Sequence, residues 1–142
     1  MDKWKELYQP NGIFLDEMAS DDSDDHVKYY KQLTNSAKQK GFAKVVGNPG
    51  TETKKAYVGS VDTIIIYETD KGFPTEANYG GWHGSYDKSN WGILPYNIIK
   101  LEDDKVRNAL KFVKYIYVTD DSGANPWDSI ATYLDHLLSL LA

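Results

Sequence analysis

Val61-Asp62-Thr63-Ile64-Ile65-Ile66-Tyr67-Glu68 is an apolar run that closes on a carboxylate. A strand with one wet face alternates apolar and polar residues, whereas Ile64, Ile65 and Ile66 present apolar side chains to both faces. Such a run marks a parallel strand covered on both sides. Gly12 to Glu17, Phe42 to Asn48, Trp91 to Asn97 and Tyr115 to Asp121 also read as strands, several of them continuous apolar runs. Between the strands, apolar residues recur at helical spacing. Val27, Tyr30, Thr34 and Ala37 form one stripe, with Gly41 placed to end the helix. Val106, Ala109, Leu110 and Val113 form a second, and Ile130, Leu134, Leu137, Leu138 and Leu141 a third. Residues 2 to 9 read as the tail of a further helix. The alternation predicts an α/β fold of right-handed βαβ units, about five of them, within a single domain over residues 1–142.

Each proposed strand ends in polar residues: Asp16-Glu17, Asn48, Glu68, Asn97, and Thr119-Asp120-Asp121. In parallel α/β folds the C-terminal edge of the sheet is where ligands bind. Carboxyls at the border of a dry core can be driven to different pKa values, which an acid/base pair needs. Adjacent strand residues point to opposite faces, so Asp16 and Glu17 share one face only if the chain turns there. The competing role for such a carboxylate is to cap the next helix. That role weighs evenly with a site role for Asp120 and Asp121, and less for Asp16, Glu17 and Glu68. The acidic run Asp21-Asp22-Ser23-Asp24-Asp25 reads as a helix cap rather than a calcium loop, because His26 and Gln32 stand where an EF-hand needs Gly and Glu.

Other chemistries are narrowed by composition. The net charge of -5, with scattered Lys and Arg, argues against nucleic acid as a partner. There are no cysteines, so disulfides, thiolate metal sites and a cysteine nucleophile are excluded. No apolar run is long enough to span a membrane. His26, His83 and His136 lack metal-ligand spacing, Gly47-Asn48-Pro49-Gly50-Thr51 lacks the lysine of a phosphate loop, and no nucleophile elbow is present. No metal or cofactor is expected. Carboxylates without a metal motif leave glycoside hydrolysis as the natural reaction class. Aromatic residues make up 13% of the chain, and Tyr and Trp suit sugar stacking as well as core packing. The segment from Thr69 to Ser89, with Tyr79-Gly80-Gly81-Trp82-His83-Gly84, is long for a simple connection, and such loops often carry function.

Four of these motifs, in this order, resemble the spherulin-4-like (spherulation-specific) family. They are Gly12 to Glu17, Val45-Val46-Gly47-Asn48-Pro49-Gly50-Thr51, Val61 to Glu68, and Tyr117-Val118-Thr119-Asp120-Asp121, with Asn125-Pro126-Trp127-Asp128 fitting the family's C-terminal end. The family is similar to glycoside hydrolases that cut galactosaminogalactan, an α-1,4-linked polymer of galactose and N-acetylgalactosamine, on a (β/α)8 TIM-barrel fold. The resemblance implies that Asp16, Glu17 and Glu68 hold the catalytic or essential acidic positions. Asn48, Tyr96, Asp120 and Trp127 are assigned to the carbohydrate substrate, Asn48 by hydrogen bonds and the aromatics by packing or stacking. Core packing is the competing role for Tyr96 and Trp127. The alternative function is a non-catalytic carbohydrate-binding remnant of the same fold. No signal peptide stands at the start of this chain, and the resemblance implies an extracellular or cell-surface place for a full-length form.

A complete barrel has eight βα units and typically about 250 residues. The five units match the family's later strands, so the chain is expected to be the C-terminal part of such a barrel. Its first and last strands then become apolar edges, Ile13-Phe14-Leu15 and Tyr115-Ile116-Tyr117-Val118, without the Pro or inward Lys that block pairing. Self-association, or pairing with an N-terminal barrel half, is the expected consequence, with little hydrolysis by the chain alone.

Overall fold

The computed structural model describes residues 1–79 and 81–142. Gly80, within the long segment singled out above, lies outside the described residues. The chain forms two compact units, Met1–Ile66 and Tyr67–Ala142. The fold is mixed α/β with a parallel sheet whose strands follow chain order.

The first unit contains helix α1 (Asp2–Tyr8), strand β1 (Gly12–Leu15), helix α2 (Asp24–Gln39), strand β2 (Lys44–Gly47) and the start of strand β3 (Thr63–Thr69). β1 and β2 pair in parallel, Gly12 opposite Lys44 and Leu15 opposite Gly47. β2 pairs with β3 through Val46 and Gly47. Thr63, Ile64, Ile65 and Ile66 are all buried, as a strand covered on both faces requires. Val27 and Ala37 of α2 are buried with Phe42, Val45 and Tyr57. A fully buried Val or Ile contributes about 1.5–3 kcal/mol. The acidic run does cap α2. The Ser23 hydroxyl accepts from the His26 amide at 3.4 Å, and Asp21 accepts from the Ser23 amide at 3.1 Å. Gly41, with φ of 83°, turns the chain out of the helix.

The second unit holds the end of β3, helix α3 (Glu76–Tyr79), strand β4 (Trp91–Pro95), helix α4 (Asp103–Ala109), strand β5 (Tyr115–Ile116) and helix α5 (Leu134–Leu141). β4 and β5 are parallel, with Gly92 opposite Tyr115. Ile98, Val106, Val118, Leu137 and Leu140 form its core. Three expectations need correction. Helix α4 ends at Ala109, so Leu110 and Val113 of its expected stripe fall beyond it, with Val113 still buried. The fifth strand is regular only over Tyr115–Ile116. Its ladder still reaches further, because the Tyr117 and Thr119 amides donate to the carbonyls of Ile93 and Pro95, each at 3.2 Å. Beyond that point the partner strand has ended. The chain after β4 instead folds back, with the Asn97 and Ile98 amides donating to Asp121 and Thr119. The last helix starts at Leu134, so Ile130 falls outside it and is 72% exposed. The amide of Ala131 and both the amide and the hydroxyl of Thr132 are taken by side chains, which holds that stretch outside the helix.

Candidate functional site

In the first unit, β1 carries the chain to Asp16, and Glu17 then turns it. Glu17 has φ of 52°, the left-handed region that residues with a Cβ rarely enter, at a cost of about 1–2 kcal/mol. This is the turn on which a shared face for Asp16 and Glu17 depends. It is held from both sides by Asn48, whose amide donates to the Leu15 carbonyl and whose carbonyl accepts from the Met18 amide, both at 2.8 Å. Asn48 is 6% exposed. Its Nδ2 donates to Asp16 Oδ1 at 2.9 Å, and its Oδ1 accepts from the Gly50 amide at 3.0 Å. Asp16 and Glu17 are themselves exposed. The unit therefore places a solvent-facing carboxylate on a buried amide that is fixed by backbone at both ends.

In the second unit, Glu68 stands near the end of β3 and is half-buried. The Trp127 indole Nε1–H donates to Glu68 Oε1 at 3.2 Å. The Tyr96 ring, half-buried, meets Trp127 edge-on with centroids 5.7 Å apart, and Tyr117 lies 6.3 Å away on a tilted plane. The Tyr96 amide donates to the Thr69 carbonyl, which ties the end of β4 to the end of β3. Trp127 is 36% exposed, so it borders solvent rather than filling the core. Asp120 accepts from both the amide and the hydroxyl of Thr132. These bonds, the hydroxyl's first, hold its carboxyl below the ordinary aspartate value. Asp121 accepts from the Ser129 hydroxyl and the Ser122 amide, with the same consequence.

Of the residues singled out in the sequence, Asp16 thus meets Asn48, and Glu68, Tyr96 and Trp127 come together. Asp120 is engaged with Thr132. The contributions of Tyr117 and Thr132 were not read from the sequence. For Tyr117 a signal existed, since it stands two residues before Thr119 and so on the same side of the chain as that strand-end residue. Thr132 carries no comparable pattern. Among the described residues, no group of His, Asp and Glu is placed to hold a metal ion, and no helix is long and apolar enough to cross a membrane. His26 and His136 are half-exposed and paired with Asp21 and Asp103.

The fold is similar to that in the crystal structure of Aspergillus clavatus Sph3 in complex with GalNAc, with a TM-score of 0.70 and 20% sequence identity. The match covers 92% of this chain and 56% of that one, so the chain spans little more than half of its length. No curated protein matches the chain. Spherulation-specific family 4 matches it over residues 1–141, nearly its whole length, and the chain belongs to that family.

Proposed function

We propose that this chain is a glycoside hydrolase-like domain acting on an α-1,4-linked, galactosamine-containing polysaccharide of the galactosaminogalactan type. Asp16, Glu17 and Glu68 supply the carboxyls for acid/base catalysis. Asn48, Tyr96, Asp120 and Trp127 contact the sugar, Asp120 with its oxygens already accepting from Thr132. The five parallel strands are the C-terminal part of a β/α-barrel, with the reacting groups on the edge where strands end. The observation that carries this reading is the Asp16–Asn48 pair beside a strained Glu17. A buried amide with a fixed backbone costs flexibility, and a left-handed glutamate costs conformational energy; both suit a site that must hold carboxyls in place. The GalNAc bound to Sph3, a protein of similar fold, supports the sugar class.

A second reading, a carbohydrate-binding domain without turnover, is favoured by the candidate carboxyls that already accept hydrogen bonds, Asp120 from Thr132 and Glu68 from the Trp127 indole. One experiment separates the two. The protein is incubated with galactosaminogalactan, new reducing ends are counted, and GalNAc oligosaccharide binding is followed by calorimetry. Hydrolysis lost in Asp16→Asn and Glu68→Gln supports the enzyme. Binding without cleavage supports the second reading, and neither binding nor cleavage sinks both.

A further inference from the structure

The segment that follows β5 is tied down at several points. The Tyr117 hydroxyl accepts from the Ala131 amide at 3.1 Å, and Asp120 accepts from the Thr132 amide at 3.0 Å. Asp121 accepts from the Ser129 hydroxyl, and Asn125 Oδ1 from the Trp127 amide at 3.2 Å. Tyr117, Asp120 and Asn125 thus take three backbone amides of the segment, and Asp121 ties down the Ser129 side chain. What this fixed segment delivers is one indole N–H, a group that only donates, onto one oxygen of Glu68.

We propose that Trp127 is the positioning residue of Glu68, holding its carboxyl in the orientation in which it acts, while Asp120 and Asp121 hold the segment that carries the indole. The assignment rests on the reading of Glu68 as a site carboxylate. Glu side chains have three rotatable bonds, and a carboxyl that swings loses the alignment on which proton transfer or nucleophilic attack depends. The two oxygens of a carboxylate have about four acceptor positions, so the indole bond does not exhaust them. Tyr96 and Tyr117 flank the indole and restrict its own rotation.

The test uses the full chain with 15N-labelled tryptophan. The four tryptophans give four indole signals, and Trp127→Phe identifies the one that belongs to Trp127. In Glu68→Ala that signal should shift and its hydrogen exchange should quicken, with the signals of Trp4, Trp82 and Trp91 unmoved. An unchanged Trp127 signal overturns the proposal. On galactosaminogalactan, Trp127→Phe keeps an aromatic ring and removes the donor, so kcat should fall about tenfold with KM within about twofold. Wild-type kcat in that variant overturns the proposal as well. If Trp127→Phe does not fold, Trp4→Phe, Trp82→Phe and Trp91→Phe assign the Trp127 signal by elimination and the Glu68→Ala signals decide, with Glu68→Gln as a second, isosteric probe. A wild-type chain that cleaves nothing counts against the hydrolase reading, and the indole signals still decide the contact.

Discussion

Asn48 joins two strand ends with four hydrogen-bonding groups, two from its backbone and two from its side chain. Replacing it with alanine strips Asp16 of its donor and leaves the Gly50 amide without this acceptor. Asp16 is exposed and Gly50 half-buried, so water can replace the lost partner and the cost is that of an ordinary hydrogen bond, about 0.5–1.5 kcal/mol. Asn48→Ala should therefore lower the unfolding free energy by that amount, read as a lower urea midpoint, and, if Asp16 is a site carboxylate, depress turnover on galactosaminogalactan. A midpoint and a rate both equal to wild type would make Asn48 an ordinary turn residue. The buried tyrosines add a second case of a side chain shaped by its place. Tyr57 is fully buried and donates to Asp21, and the burial pushes its hydroxyl up to about 12.

Strand β2 ends at Gly47, and a Cβ built there would stand 2.4 Å from the Met18 sulfur and 3.2 Å from a Val61 methyl. The glycine lets the turn after Glu17 close down on the strand, with Met18 buried over it. Gly47→Ala should cost about 1–3 kcal/mol of overpacking, relieved in part by Met18→Ala in the double variant. Additive losses by chemical denaturation would show that the two positions do not meet. The segment after β5 gives a pH dependence at the same scale. Asp120 and Asp121 both titrate below their ordinary value of 3.8, through hydrogen bonds from Thr132 and Ser129. A carboxyl with a depressed folded pKa stabilises the folded form above its unfolded pKa, and that contribution is lost as pH falls through the folded value. The segment should stay closed near neutral pH and loosen below about pH 4, seen as weaker protection of the Thr132 amide relative to its intrinsic exchange rate at each pH. In Asp120→Asn this protection should be weak already at neutral pH.

At the scale of the whole molecule, β1 is the outermost strand of the sheet on its side. Phe14 on that strand is 49% exposed, and Trp4, Leu7 and Tyr8 of α1 are more exposed still. A cavity of about 370 Å³ lies among Trp4, Pro10, Gly12, Ile13, Phe14 and Phe42. Exposed apolar groups beside an unpaired strand edge favour association. The chain should sediment with a concentration-dependent mass, and Phe14→Lys, which adds a charge to the edge, should shift it toward monomer. A monodisperse monomer at all concentrations for the unsubstituted chain would remove self-association from its behaviour.

The order and kind of the elements were legible in the amino-acid sequence, because the period of apolar residues follows directly from strand and helix geometry. Ile64 to Ile66 read as doubly covered and are buried, and the Val27 to Ala37 stripe is a helix. Ser23 read as part of a cap and caps it. Strand-end carboxylates could be found the same way, since a charged residue closing an apolar run is a local signal. Their partners could not. That Asn48 reaches Asp16, 32 residues away, and Trp127 reaches Glu68, 59 away, follows from strand pairing and from a segment folding back. The same holds for the early start of irregularity after Ile116 and for Ile130 leaving the last helix, where hydrogen bonds from distant residues outweighed local periodicity. Local preferences amount to tenths of a kcal/mol per residue, whereas a hydrogen bond contributes about 0.5–1.5 kcal/mol and several act together here, so at these places the tertiary contacts decided.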